Sequence, residues 1–316
     1  MKNKILYKTR KGSFYIGDSI KLIEEKLIRK YGDKINLIIT SPPFPLNQKK
    51  LYGNLKGTAY KEWFISLAPL FSKLLAPDGS IVIEIGNAWE PGLPVQSTLH
   101  LESLIGFVKH PDAGLNLCQE LICYNPSRLP SPAQWVTIER SRLTDSYTHV
   151  WWMAKTTNPK ADNRSVLRPY SKSMQELLRK KKYNAGRRPS NHSISEKSFL
   201  TNHGGSIMPN LLEIDPMGVN ETTRLPVNVL RFSNTNSNDS FQRICRKNGI
   251  RPHPARMNPS LISFFIDFLT EPGDLVLDPF AGSNTTGFVA EMMDRNWIAI
   301  EVMEEYGKQA ELRFEA

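Results

Sequence analysis

The sequence predicts an α/β fold around a mainly parallel, doubly wound sheet, and three observations carry that reading. Short continuous apolar runs at 36–40, 80–85 and 275–278 suit strands buried on both faces of a parallel sheet. Segments with helical spacing of apolar residues lie between such strands. The composition, 40% hydrophobic and 23% charged over 316 residues, is that of an ordinary globular chain and excludes collagen-like, coiled-coil and globally disordered architectures.

Taken in order, residues 13–17 form a short strand, and 19–30 a helix with Ile20, Leu22, Ile23, Leu27 and Ile28 on one face. The strand at 36–40 stops abruptly at Ser41-Pro42-Pro43. Residues 60–75 form a helix that Pro77-Asp78-Gly79 ends before the strand at 80–85, and two more strands follow at 120–124 and 149–154. From about 156 to 248 the chain turns polar, basic and rich in Pro, Gly, Asn and Ser, with little periodicity. Order resumes with a helix over 258–269 whose Leu261, Ile262, Phe264, Phe265, Phe268 and Leu269 make an apolar face. The strand 275–278, a helix ending near 293 and a last strand at 297–301 complete the chain. Three regions result: 1–155, 156–248 and 249–316.

Several function classes have no support. No apolar run approaches the roughly 18 to 20 residues that span a bilayer, and the charged start has no following apolar segment of a secretory signal, which predicts a cytoplasmic protein. Cys118, Cys123 and Cys245 are an odd count without a C-x-x-C pair, and the six histidines form no H-x-H or H-E-x-x-H, so neither a disulfide framework nor a metal site is expected.

Two constellations carry chemistry. In the first, the strand 275–278 ends in Asp278 and enters a turn, Pro279-Phe280-Ala281-Gly282-Ser283-Asn284-Thr285-Thr286-Gly287, that opens a helix. Gly282 permits close backbone approach, the helix start offers free amides, and Glu301 closes the next strand where an acid can accept from both ribose hydroxyls. That is a nucleoside-cofactor half-site; it lacks G-x-G-x-x-G and G-x-x-x-x-G-K-[ST], so NAD and an ATP P-loop are not favoured. The second is Thr40-Ser41-Pro42-Pro43-Phe44. Two prolines remove two N–H donors and hold the Ser41 and Pro42 carbonyls rigidly as acceptors, which suits an amino group such as an exocyclic base amine, while Phe44 can stack on a base withdrawn from a duplex. Read alone, each also serves as a strand stop or a helix cap.

Forty-one Lys and Arg against 31 Asp and Glu give a net charge of +10, compatible with a polyanionic partner. The excess is local: residues 160–197 hold eleven basic and three acidic side chains, and the rest of the chain is nearly neutral at +2. Arg179, Lys180, Lys181, Lys182, Arg187 and Arg188 are the candidate phosphate contacts, and Asn184, Asn191, His192, Asn202 and His203 the candidates for base edges.

In these motifs the sequence resembles the amino-group DNA methyltransferases, with their [SND]-P-P-[YF] tetrapeptide and D-P-F-x-G-S-type cofactor motif. The tetrapeptide precedes the cofactor motif, as in the circularly permuted β class. Ser41 to Phe44, Tyr52-Gly53-Asn54, Asn125-Pro126-Ser127-Arg128-Leu129-Pro130-Ser131-Pro132, Val150-Trp151-Trp152, Gly204-Gly205-Ser206-Ile207 and His253-Pro254-Ala255-Arg256 look like the PvuII-type cytosine-N4 group, so the resemblance spans nearly the whole chain.

The resemblance implies a Rossmann-like, S-adenosylmethionine-dependent methyltransferase sheet with an inserted target-recognition region at 156–248. It implies double-stranded DNA as substrate, and a companion restriction endonuclease acting on the same site. It places Asp278, Phe280, Gly282, Asn284 and Thr285 around the cofactor, Glu301 on its ribose, Asp18 on its adenine amine and the His253 segment over its methionine part. The alternative for Asp18 is a helix N-cap alone, and for His253 a turn residue between prolines. Ser before Pro-Pro points to cytosine N4, with adenine N6 as the alternative; no Pro-Cys dipeptide supports a cytosine-C5 mechanism. A non-catalytic DNA-binding protein on the same fold is the competing class.

Overall fold

Alternation of buried runs and amphipathic segments produces the predicted layering in the structure, a computed structural model describing residues 4–44, 55–125, 128–195, 199–213, 240–250 and 256–314. Its first part runs through β1 (Lys4–Lys8), β2 (Gly12–Ile16), α1 (Ser19–Leu22), a π-helical turn (Ile23–Leu27), α2 (Ile28–Tyr31) and β3 (Ile35–Thr40). Then come α3 (Gly57–Leu74), β4 (Leu75–Ile85), α4 (Leu99–Val108), β5 (Asn116–Tyr124), a second π-helical turn (Gln134–Ile138) and β6 (Tyr147–Ala154). The polar region contributes α5 (Lys172–Lys180), β7 (Gly186–Arg187), β8 (Ser193–Ile194), β9 (Leu211–Glu213) and α6 (Ser240–Lys247). Last are α7 (Pro259–Leu269), β10 (Leu275–Asp278), α8 (Thr285–Met292), β11 (Asn296–Glu301) and α9 (Glu304–Glu311).

The main sheet has nine strands in the order β1-β2-β11-β10-β3-β4-β6-β5-β9. The run β2-β11-β10-β3-β4 is parallel, and β6 is antiparallel to both its neighbours. Because β10 and β11 from the far end of the chain sit between β2 and β3, the turn after β10 and the tetrapeptide after β3 leave the same sheet edge side by side. One face packs Leu22, Ile38, Phe64, Phe71, Phe107 and Trp151 beneath the helices up to α4. The other packs Leu37, Val82, Phe265, Val276, Val289 and Trp297 beneath α7 and α8.

Local chemistry accounts for the start of α7. Asn258 caps α7, its Oδ1 accepting from Ser260 N at 2.8 Å, with Pro259 at the first helical position. The sequence expectation that Pro77-Asp78-Gly79 separates helix from strand is corrected. The strand already begins at Leu75, which pairs with Ile35, and the three residues form an irregularity inside β4 before Leu37 pairs with Ser80. α4 and α9 are not among the predicted elements; in α4 the exposed Leu101 and Ile105 blur the apolar stripe. The polar region is tied to the α/β core at its start and through β9. Lys160 N donates to Asp78 O at 2.9 Å, Asp162 N to Phe268 O at 2.9 Å, and β9 pairs with β5.

Candidate active site

The turn after β10 is built by groups that reach it from distant parts of the chain. Asp278 is buried; its Oδ1 accepts from Thr40 Oγ1 at 2.7 Å and Phe280 N at 3.1 Å, and its Oδ2 from Thr286 Oγ1 at 2.7 Å. Burial pushes its pKa up, and these donors oppose the shift. Thr40 is the residue before the tetrapeptide, so one carboxylate joins the end of β3, the end of β10 and the start of α8.

Beyond Asp278, Ser19 Oγ donates to Pro279 O and Ala281 N to Ile300 O at 2.9 Å. Asn284 is fully buried in a left-handed conformation (φ 53°), its Oδ1 accepting from Gly287 N at 3.0 Å and its Nδ2 donating to Tyr7 OH at 3.0 Å. A Cβ on Gly287 would sit 2.3 Å from Asn284 Oδ1, so only glycine fits there. Arg313, after α9, donates from Nε to Ser283 O at 2.6 Å and from Nη2 to Ser283 Oγ and Thr285 Oγ1, with its guanidinium 3.7 Å from the Phe241 ring of α6.

Glu301 ends β11, its Oε2 accepting from Gly282 N at 2.9 Å and its Oε1 from Met303 N at 2.9 Å. Burial raises its pKa while these amides pull it back. A carboxylate offers about four acceptor sites, so Glu301 keeps acceptor capacity for a hydroxyl beside these amides. Phe280 is half-buried, 5.5 Å from Trp63 at 59°, and Trp63 lies 5.6 Å from Tyr60, whose buried hydroxyl has no partner among the described residues. An acid, an aromatic slot and an unsatisfied buried hydroxyl along one edge fit a nucleoside-bearing cofactor. Asp18 caps α1, accepting from Lys21 N at 3.1 Å, and stands exposed at the same edge after β2.

In the tetrapeptide Pro42 is buried and Ser41, Pro43 and Phe44 are half-buried. Phe44 lies on the backbone of Gly86, where a Cβ would come within 2.8 Å of its ring, so the glycine after β4 makes its seat. Glu84 is a site residue that the sequence analysis does not single out. Thr40 pairs with Ile83, so register sets Glu84 beside Ser41 at the sheet's edge. Although the residue as a whole is half-buried, its carboxyl is desolvated, which raises its pKa; Thr148 Oγ1 donates to it at 3.0 Å. Tyr7, Trp63, Gly86 and Arg313 are likewise legible only in three dimensions.

The structure brings Ser41, Pro42, Pro43, Phe44, Asp278, Phe280, Gly282 and Glu301 to one edge of the sheet, with Asn284 and Thr285 buried under the turn. His253, Tyr52 to Asn54, and Pro126 and Ser127 lie outside the described residues. In the polar region, Arg179 and Lys180 both pair with Glu176, Arg187 donates to Asn191 Oδ1 at 2.9 Å, and Arg188 to Asn184 O at 2.6 Å. Lys181 closes α5 in a left-handed conformation, and Lys182 follows it exposed. Asn202 Oδ1 accepts from Gly204 N. α6 adds exposed Arg243, Arg246 and Lys247 opposite buried Phe241 and Cys245, a basic surface outside the 160–197 run.

Comparison with known proteins bears on this arrangement as a whole. A family model described as DNA methylase matches residues 35–312. The type II methyltransferase M.PvuII of Proteus hauseri is 43% identical over 314 residues, 98% of this chain and 86% of that protein. A solved PvuII DNA methyltransferase, cytosine-N4-specific by its description, superposes with a TM-score of 0.73 at 37% identity over 99% of this chain and 89% of that one. A solved complex of M1.HpyAVI with SAM has the same fold at a TM-score of 0.51 and 19% identity, over 96% and 98% of the two chains.

Proposed function

The chain belongs to the N6/N4 DNA methylase family, and on that premise we propose that it transfers a methyl group from S-adenosylmethionine to the exocyclic N4 of a cytosine flipped from duplex DNA. The Thr40–Asp278 hydrogen bond carries this reading, because it locks the amine-binding tetrapeptide to the cofactor turn. Glu301, Phe280, Gly282 and Asp18 face the cofactor, and Asp278, Asn284 and Thr285 hold the turn's shape from beneath. S-adenosylmethionine supplies an electrophilic methyl group bound to sulfur.

The chain's own residues do the rest. The hydroxyl of Ser41 and the carbonyl of Pro42 accept from the N4 amine, and the missing proline N–H groups leave those acceptors uncontested. Phe44, held on Gly86, stacks on the base. Methylated N4 must lose a proton, and Glu84, whose carboxyl burial makes more basic than an ordinary carboxylate, is the group beside Ser41 that takes it.

Residues 156–248 form the target-recognition region between two halves of the methyltransferase domain, with Arg179 to Lys182, Arg187 and Arg188 on phosphates. The enzyme is the modification partner of a cognate restriction endonuclease that shares its site without a stable complex, and it works in the cytoplasm. Among the described residues no helix is long and apolar enough to cross a membrane.

Incubation with labelled cofactor and mixed-sequence duplex DNA, followed by digestion, nucleoside identification and mapping of modified sites, tests the reading. N4-methylcytosine at one short sequence is expected; N6-methyladenine would move the target, and cofactor binding without labelled DNA would overturn the activity. Ser41→Ala should lower turnover by about 100-fold with cofactor affinity kept. A parallel loss of cofactor affinity would sink that division of roles.

A further inference from the structure

Among the described residues the three most exposed large apolar side chains are Leu143 (90%), Leu129 (80%) and Ile138 (69%). All three belong to the single connection between β5 and β6. Isolated exposed apolar side chains need no explanation, but three this exposed in one connection at the catalytic edge set it apart from the rest of the surface. Leu93 and Val95, in the neighbouring connection after β4, are each about half exposed and extend it.

This connection is a built structure. Ser141 N and Arg142 N both donate to Trp135 O, at 2.8 and 3.2 Å, Val136 N donates to Pro132 O at 3.0 Å, and Asp145 N to Ser131 O at 3.2 Å. Arg142 Nε reaches Pro94 O at 2.9 Å and joins the two connections. The base is anchored by Asn125 N to Ser146 O and by Arg128 Nη1 to Tyr147 O, each at 2.8 Å. Asp145 then accepts from Asn87 Nδ2 at 2.7 Å and Trp89 Nε1 at 3.3 Å. Asn87 follows Gly86, the seat of Phe44, so the apolar tip and the tetrapeptide share one support.

The charge around the tip selects its occupant. Arg140 and Arg142 are exposed beside Leu143, and Arg128 precedes Leu129. The two acids of this connection are hydrogen-bonded within the support, Glu139 with Gln134 and Asp145 with Asn87 and Trp89, against three arginines. Apolar tips between arginines, on a stiff support beside a base pocket, match what an opened duplex needs: a filler for the gap in the stack and cations for the flanking phosphates.

We propose that the β5–β6 connection is the wedge that keeps the target base out of the duplex, with Leu143 entering the stack, Leu129 and Ile138 flanking it and Arg140 and Arg142 on the adjoining phosphates. The inference rests on the methyltransferase reading above. It assigns these leucines a positioning role, because they touch the duplex and not the reacting atoms.

The test uses a duplex carrying the mapped methylation site in two forms, fully paired and with an abasic position opposite the target cytosine, where no pair has to be broken. On the paired duplex, Leu143→Ala should lower the single-turnover rate by about tenfold or more, with duplex and cofactor affinities within about threefold of the parent. On the abasic duplex its rate should return to within about threefold of the parent, and Leu143→Met should keep most of the paired rate. An unchanged paired rate would overturn the wedge, as would an equal loss on both duplexes, which would mean a misplaced active site or lost affinity. An inactive parent enzyme on both duplexes would instead count against the methyltransferase reading. Because Leu143 is almost fully exposed, its truncation leaves the fold intact, and an unchanged melting midpoint checks this.

Discussion

In the turn from Asp278 to Gly287, polar side chains bond one another and also partners far away in sequence. Asp278 reaches Thr40 across 238 residues, Asn284 reaches Tyr7 across 277, and Ser283 is gripped by Arg313 across 30. In the arm from Lys172 to Asn202 the corresponding bonds close within three or four residues: Arg179 and Lys180 on Glu176, Arg187 on Asn191, and Arg188 on the Asn184 carbonyl. The turn's shape is therefore a property of the whole fold, available before any ligand arrives. The arm's shape is local, and a polyanion can rearrange it without disturbing the core.

The largest test of that contrast is Asp278→Ala. It would leave Thr40 Oγ1, Thr286 Oγ1 and Phe280 N without their acceptor in the interior, and a loss of about 3 kcal/mol in a denaturant titration is expected together with weaker cofactor binding. Asp278→Asn keeps an acceptor oxygen and should lose less. An alanine variant with the parent's midpoint would show that the turn is not braced as described. Arg313→Ala comes next, at about 2 kcal/mol, since it removes charged hydrogen bonds to Ser283 and Thr285 and the stacking on Phe241. Arg313→Lys should recover only part of this, because an ammonium cannot reproduce the planar fork.

The same burial gives the turn a pH signature. Asp278 and Glu301 are both raised by desolvation, so between the ordinary carboxylate range near about 4 and their folded values the native state holds more protons than the unfolded chain. Their contribution to stability accordingly falls as pH rises through that window. Exposed acids such as Glu102 and Asp294, lowered by Lys61 and Lys11, act in the opposite direction, so the comparison must be with a variant. Glu301→Gln should lose stability less steeply than the parent as pH rises; a steeper loss would contradict the assignment.

How much of this was legible in the sequence follows the same divide. Continuous apolar runs at β3, β4 and β10 announced the parallel centre, since residues buried on both sheet faces leave a one-dimensional trace. Ser41-Pro42-Pro43-Phe44 and the turn to Gly287 were readable because proline and glycine carry their conformational meaning locally. Tyr7, Arg313 and Glu84 were not, because nothing beside them in the chain marks a contact made across the sheet. The irregular start of β4 was missed for a related reason: Pro77-Asp78-Gly79 has the composition of a turn, and only pairing with β3 makes it strand. The six candidate phosphate contacts were found by charge density alone, a measure that ignores which cations already have partners.

That omission yields the smallest and most discriminating prediction. Arg179 and Lys180 share Glu176, whose carboxylate they hold below its ordinary pKa, whereas Lys181 and Lys182 have no such partner among the described residues. A phosphate meeting the first pair competes with a carboxylate one helical turn away; meeting the second, it displaces only bound water and counterions. Neutralising Lys181 and Lys182 to Gln should flatten the dependence of duplex affinity on salt by close to about 0.9 per contact, and neutralising Arg179 and Lys180 by less. Both doubles should keep the parent's melting midpoint and cofactor affinity, because no bond from a described residue of the arm braces the turn after β10. Equal salt slopes for the two doubles would mean that DNA releases Glu176 without cost. A lower cofactor affinity in either would mean that arm and turn are coupled, and the contrast between them would fail.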